Sequence, residues 1–151
     1  MRKILLTGLL ALLMLSIGVR VEAAEWETDL VQAVKTAKAS GKYVLVDFTG
    51  SDWCPWCMKL EEEVFSQPEF KKYAAKNLIC VLVDFPQDKY QSDEQKAWNK
   101  LLAKKYGVTG YPTIIMFSPN GGFVLKSGYQ YGGAENYVNY LKEAIAGYKG
   151  K

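Results

Sequence analysis

Residues 46–60 of this 151-residue chain form the stretch VDFTGSDWCPWCMKL, which joins an apolar segment to two cysteines three positions apart. Cys54 and Cys57 enclose Pro55 and Trp56. Proline is favoured in the first turn of a helix, where its missing N–H group is no loss. The stretch therefore predicts a buried strand, a short loop and a helix that begins at the cysteines.

The position of Cys54 at the start of a helix predicts a reactive thiol. Free N–H groups and the helix dipole favour negative charge at that end, and the thiolate is the form that attacks a disulfide. Cys57 lies one turn further along the same face, and we expect it to be the less exposed of the two. Cys54 would attack a substrate disulfide, and Cys57 would then release the substrate from the mixed disulfide. The reverse steps would oxidise a substrate.

Other uses of the cysteine pair fit the sequence less well. A structural disulfide gains most by closing a long loop, whereas this ring is short. The chain has no histidine and only three cysteines, which excludes a Ser-His-Asp or Cys-His catalytic set and leaves a four-ligand zinc site incomplete. An iron–sulfur cluster shared between two chains is disfavoured if the protein is exported. We therefore expect a redox pair, with no metal and no other cofactor.

The N-terminal segment has the layout of a secretory signal peptide. Arg2 and Lys3 form a basic start, an apolar run follows over 4–15, and small residues stand near Ala23. This apolar run is short for a membrane span, which takes about 20 residues. We expect a cleaved signal peptide (1–23), a single domain (24–151) and a periplasmic or secreted protein.

The rest of the chain alternates between helical and strand patterns. Apolar residues at helical spacing and short apolar runs predict helices over 26–39, 54–65, 66–77, 93–107 and 132–148, and buried strands over 43–48 and 78–85. In the helix over 93–107 we expect Trp98, Leu101, Leu102 and Tyr106 to share one face. Near the C-terminus, YPTIIMF, SPNGG and FVLK predict a β-hairpin, because Asn120 and Gly121 both tolerate positive φ. This order predicts an α/β fold whose first strands are parallel and joined by right-handed helical crossovers.

The segments VDFTGSDWCPWCMKL and YGVTGYPTIIMFSPNG, followed by an amphipathic helix, resemble the thioredoxin family over residues 26–148. Among its members, the chain is similar to exported bacterial thioredoxin-like proteins with FTGSDWC ahead of the cysteine pair. The resemblance implies a thioredoxin fold, with a central mixed sheet, flanking helices and a C-terminal ββα unit. It also implies an enzyme, a thiol–disulfide oxidoreductase.

The resemblance gives roles to residues outside the cysteine pair. Pro112 stands where the family carries a cis-proline that faces the cysteines, which leaves the backbone of Tyr111 free to pair with an extended peptide. Asp47 stands in the strand where thioredoxins bury an aspartate that moves a proton to or from the second cysteine. One extra residue separates Asp47 from the cysteines in this chain, so Asp52 is the alternative.

Further residues near the cysteines are candidates for substrate contact. Trp53, Pro55 and Trp56 flank the reactive sulfur, and we expect Trp53 to combine packing with contact. Cys80 stands at about the point where thioredoxins often carry a lysine paired with the buried aspartate. We expect Cys80 to be a buried and inert thiol.

The direction of electron flow does not follow from the Pro-Trp pair, because related pairs span about 150 mV in reduction potential. We expect a reductase of protein or peptide disulfides, with an oxidase, an isomerase or a non-catalytic peptide-binding module as alternatives. The sequence carries no glycine-rich dinucleotide fingerprint, so a redox partner, plausibly in the membrane, is needed. Basic residues are not clustered and the net charge is only +3, so we expect no nucleic-acid partner. We expect a monomer.

Overall fold

The computed structural model of the protein describes residues 25–150, so the predicted signal peptide lies outside the described residues. One sheet has the strand order β1-β3-β2-β4-β5. Its strands are β1 (Trp26–Glu27), β2 (Tyr43–Thr49), β3 (Leu78–Asp84), β4 (Thr113–Phe117) and β5 (Phe123–Ser127). β3 is parallel to β1 and β2, whereas β4 is antiparallel to β2 and β5. The mixed sheet confirms the predicted thioredoxin fold.

Within residues 25–150, five helices cover the two faces of the sheet. They are α1 (Leu30–Ser40), α2 (Pro55–Leu60), which continues as a π-helical segment (Glu61–Phe65), α3 (Pro68–Asn77), α4 (Asp93–Lys105) and α5 (Gly133–Gly147). Side chains of α2, α3 and α5 pack on one face, and those of α1 and α4 pack on the other. Among the helices of residues 25–150, none has the length and hydropathy needed to span a bilayer.

Strand β2 lies at the centre of the sheet and is buried on both faces. Residues 44–49 are all buried, which explains the unbroken apolar run in the sequence. Because side chains alternate along a strand, Val46 packs among α1 and α4, whereas Leu45 packs on the side of α2 and α5. Asp47 has the same parity as Leu45, so its carboxyl lies on the face that α2 covers.

The predicted helix over 26–39 is wrong at its start. Trp26 and Glu27 form a short parallel strand at the edge of the sheet, with Trp26 in register with Cys80. The helix begins only at Leu30, because the Asp29 carboxylate accepts two N–H groups of the first turn, at 2.8 and 3.0 Å. Such a cap fixes where a helix starts.

Two details of the C-terminal half also differ from expectation. In the hairpin turn Gly121 has a φ of 83°, but no non-glycine residue among 25–150 has positive φ, so Asn120 does not use its tolerance. In α4, Leu102 is buried, whereas Leu101, which the sequence placed on the same face, is 56% exposed. Neighbouring positions of a helix differ by about 100°, so both cannot face the sheet equally.

The core makes a direct test possible with two leucines of different burial. We expect Leu141→Ala to lower the free energy of unfolding by about 2–5 kcal/mol, because Leu141 is fully buried and truncation leaves a cavity. Leu101→Ala, the control in an exposed helical position, should change it by no more than about 0.5 kcal/mol. Urea unfolding measures both, and equal losses would contradict this packing.

Candidate active site

The two cysteines of the CPWC stretch are joined by a disulfide at the start of α2. The Cα atoms of Cys54 and Cys57 lie 5.3 Å apart. Cys54 is the N-cap of α2, and its Sγ accepts the N–H group of Cys57 at 3.3 Å. Pro55 occupies the first turn of the helix. The helix therefore begins at the cysteine pair, as predicted.

The expectation that Cys57 is the less exposed cysteine is wrong, because both are 4% exposed. The sulfur of Cys54 is bonded to Cys57 and turned towards the first N–H groups of α2, so it does not project from the surface. A substrate sulfur therefore has only a small area through which to reach Cys54.

The sulfur of Cys57 lies beside a cavity. The N–H group of Gly50 points at Cys57 Sγ, at a distance of 3.5 Å. A cavity of about 640 Å³ is lined by Cys57, Asp47, Ser51 and Glu61, among others. The cavity brings together the second cysteine and the aspartate that the resemblance singled out.

Asp47 is a carboxyl without a strong partner. It is 5% exposed, and its Oδ1 has no hydrogen-bond partner within residues 25–150. Burial raises the pKa of Asp47 well above its usual value, and the nearby carboxylates of Glu61 and Asp84 raise it further. A buried carboxyl with a raised pKa is a group that can take up or give a proton in an active site.

The loop before Cys54 is bonded to the segment that follows β3. Ser51 donates to the Asp84 carboxylate through its backbone N–H at 2.9 Å and through its hydroxyl at 2.6 Å. The ammonium of Lys89 donates to the Ser51 hydroxyl at 3.0 Å, and the indole N–H of Trp53 donates to the Phe85 carbonyl at 2.7 Å. Sequence patterns missed Ser51 and Lys89, because their contacts join segments more than 30 positions apart.

Asp52, the alternative proton carrier, has a different place in the structure. Its carboxylate accepts three backbone N–H groups, of Gln87, Asp88 and Lys89, at 2.9–3.0 Å. These hydrogen bonds, led by that of Gln87, lower the pKa of Asp52. Asp52 is not among the residues that line the cavity beside Cys57. It therefore acts as a cap for the loop that follows β3.

Tyr111 and Pro112 immediately precede β4, and the peptide bond between them is cis. The ring of Tyr111 contacts the ring of Trp53, at 5.8 Å between centroids, and that of Phe85, at 5.1 Å. Trp53 is 37% exposed. This aromatic group joins the residue before Cys54 to the proline-containing turn.

The other three predicted residues differ in their exposure. Pro55 and Trp56 are exposed at the surface around the disulfide. Cys80 is buried in β3, and burial, more than its neighbours, raises the pKa of its thiol to about 12. A thiol with such a pKa is inert at neutral pH, which agrees with the expectation for Cys80.

The buried carboxyl of Asp47 makes stability depend on pH. The aspartate pKa of an unfolded chain is about 3.9, and the folded value is higher. Between these two values the folded state binds more protons, so stability attributable to Asp47 falls as pH rises. Asp47→Asn has no such titration, so we expect its stability to gain on the wild type from about pH 4 upward and to level off above the folded pKa.

Urea unfolding of the oxidised proteins over a pH series measures this difference. Asp88→Asn, which removes an exposed aspartate from the loop after β3, is the matched control. A difference between Asp47→Asn and wild type that stays constant over the series would show that the carboxyl is not buried as described.

Known proteins that are similar to this chain point to a single family. Residues 30–145 match the family model of the thioredoxin-like domain. The chain is 36% identical over 121 residues to the disulfide bond reductase DsbH of Chlamydia pneumoniae, across 80% of this chain and 72% of that protein. It is 33% identical over 118 residues to the thioredoxin-related protein DsbJ of the same organism, across 72% of this chain but only 34% of DsbJ.

A solved structure of a DsbH oxidoreductase matches with a TM-score of 0.77 and 35% identity, across 84% of this chain and 88% of that one. The sequence relatives, the shared fold and the disulfide at the start of α2 agree with one another. The chain thus belongs to the thioredoxin-like family, and it is a thiol–disulfide oxidoreductase that uses the Cys54–Cys57 pair.

Proposed function

We propose that the protein is a periplasmic or secreted reductase of protein and peptide disulfides, formed by residues 24–151 after removal of a signal peptide. The observation that carries the proposal is the disulfide at the N-terminus of α2, with one of its sulfurs beside the cavity of Asp47. In the reduced protein Cys54 is the nucleophile and Cys57 the resolving thiol.

The first step depends on the N-terminus of α2, where the Cys54 thiolate forms. Helical structure continues from Pro55 through the π-helical segment to Phe65, and the Cys57 N–H group lies 3.3 Å from Cys54 Sγ. These groups favour the thiolate of Cys54 over the thiol. The thiolate attacks one sulfur of the substrate disulfide, and the other sulfur leaves as a thiolate that takes up a proton. A mixed disulfide between Cys54 and the substrate results.

The second step requires Cys57 to lose its proton. Asp47, with its raised pKa, lines the same cavity as Cys57 and is the proposed acceptor of that proton. The Gly50 N–H group that points at Cys57 Sγ favours the resulting negative charge. Cys57 then attacks Cys54 Sγ, the internal disulfide forms, and the second substrate sulfur leaves as a thiolate that takes the proton from Asp47. Two electrons and the Cys57 proton have then passed from the protein to the substrate, and the other proton has come from solvent, because Cys54 reacted as a thiolate.

The protein has candidate contact surfaces for the substrate around the Cys54 sulfur. We assign Trp53, Pro55 and Trp56 to substrate contact, together with the backbone of Tyr111 beside Pro112. An extended peptide can pair with a free backbone edge of this kind. The exposure of Trp53 and Trp56 supports this assignment.

The reducing direction is supported by the relative DsbH, which is named a disulfide bond reductase. Because the sequence has no dinucleotide fingerprint, the protein must be reduced by a partner, and we propose a membrane redox protein for an exported monomer. An oxidase or isomerase would use the same two cysteines. A peptide-binding module without catalysis would keep its function in a Cys54→Ser variant.

Removal of the resolving thiol tests the proposed roles. We expect Cys57→Ala to hold its substrates as mixed disulfides through Cys54, because nothing releases them. Non-reducing electrophoresis and mass spectrometry of the periplasmic fraction measure the trapped species. Cys54→Ala should trap none, and Cys80→Ala, the control for a buried thiol, should trap no more than wild type. Trapping through Cys80 or none by Cys57→Ala would contradict the assignment.

The reduction potential tests the direction. For a reductase we expect a value near that of thioredoxin, about −270 mV. Equilibration with glutathione or dithiothreitol buffers, followed by thiol counting, measures it. A value near about −120 mV, typical of a strong periplasmic oxidase, would favour the oxidase instead.

A further inference from the structure

Three aromatic side chains form a compact surface beside the disulfide, which we call the aromatic platform: Trp56, Tyr129 and Tyr131. The ring centroids of Trp56 and Tyr129 lie 5.2 Å apart, and those of Tyr129 and Tyr131 lie 5.3 Å apart. Trp56 and Tyr131 complete the triangle at 6.3 Å, with nearly perpendicular planes. All three distances are within the range of attractive ring contacts.

Two side chains of opposite charge, Lys59 and Glu63, contact the platform and pair with each other. The Tyr129 hydroxyl donates a hydrogen bond to the Glu63 carboxylate. The Lys59 ammonium lies 3.7 Å from the same carboxylate and about 5.5 Å from the rings of Trp56 and Tyr129. One cation and one anion are thus paired at the platform, so these two side chains give it no net charge.

The platform is continuous with the site of the redox reaction. Trp56 lies between the two cysteines, and Tyr129 follows Gly128. A Cβ atom on Gly128 would lie 3.0 Å from the Pro112 carbonyl oxygen, so the chain that leads to the platform passes directly along the cis-proline. The segment after Gly128 therefore brings Tyr129 and Tyr131 close to the turn at Pro112.

Two of the three rings in the platform are largely exposed to solvent. Trp56 is 47% exposed and Tyr131 is 72% exposed, whereas Cys54 offers only 4%. The Asn136 amide donates to the Tyr131 carbonyl at 2.7 Å, which fixes the backbone that carries the most exposed ring. A substrate must bring its sulfur close to Cys54, so the residues next to that sulfur are the ones that can cover the platform.

We propose that the aromatic platform selects peptide disulfides that carry an aromatic residue next to the reacting cysteine. The inference rests on the proposed function, whose substrate it specifies. A neutral apolar surface of ring faces and edges favours an uncharged ring, which gains contact geometry as well as burial. Tyr131 is the specificity-determining residue that is best suited to a test, because its ring is the most exposed.

The test uses two synthetic peptides that differ only at the two positions next to their cysteine. Each contains one cysteine, blocked as a disulfide with 2-mercaptoethanol, and either Phe or Ser at the positions on both sides of the cysteine. Fully reduced protein converts each peptide disulfide to the peptide thiol and 2-mercaptoethanol, and its own pair to the internal disulfide. Acid quenching and chromatography of the peptide thiol give the rate constant in a single turnover, so no other reductant is needed.

We expect the wild type to react about tenfold faster with the Phe peptide than with the Ser peptide. Tyr131→Ala should reduce this ratio to about two, and Tyr131→Phe, which keeps the ring, should retain it. Tyr90→Ala, which removes a ring that is 94% exposed from the loop after β3, is the control and should keep the wild-type ratio. Circular dichroism and thermal unfolding verify that each variant is folded.

Equal rates for the two peptides in the wild type, or an unchanged ratio in Tyr131→Ala, overturn the proposed role of the platform but leave the proposed reductase function intact. Failure of reduced wild type to react both with the two peptides and with 2-hydroxyethyl disulfide, a small linear disulfide, overturns the proposed function and the platform with it.

Discussion

Burial of the Asp47 carboxyl in the central strand is the constraint on which the site depends. A charged carboxylate in such a place is costly unless it is paired, and Asp47 Oδ1 has no partner within residues 25–150. The cost is reduced when the carboxyl holds its proton, which is why its pKa is raised. The fold thus places a carboxyl that binds a proton more readily than a free aspartate beside the cavity that Cys57 also lines. A strand with both faces covered is needed for this, and β2 supplies it.

The loop between Asp47 and Cys54 has one residue more than the common thioredoxin pattern, yet Asp47 and Cys57 still line one cavity. The additional length is taken up by Ser51, Asp52 and Trp53, whose side chains all bond to the segment after β3. These hydrogen bonds fix the loop, and the loop in turn fixes the position at which α2 begins.

Much of this arrangement follows from local patterns. The apolar runs of β2 and β3, Pro55 at the helix start and the cysteine spacing each reflect contacts within a few positions, so the fold, the helix start and the redox pair were predictable. The short strand at Trp26 was not, because pairing with β3 outweighs its helical pattern. The low exposure of Cys54 depends on atoms that only the folded chain brings together.

The same limit applies to the residues of the site that no motif marks. Tyr129 and Tyr131 lie more than 70 positions from Trp56, and alternating tyrosines after a strand are equally typical of packing. Lys89 meets Ser51 across 38 positions. Contacts of this kind are set by the order of strands in the sheet, and a single sequence does not display them.

The placement of Cys80 has a consequence for how the chain matures. A chain with three thiols can form three different internal bridges in an oxidising compartment, and two of them would be errors. Once β3 is in the sheet, the Cys80 thiol is sealed among apolar neighbours and its proton is tightly held. Only one pairing is then open, and repeated cycles of opening and closing return the chain to the same covalent form.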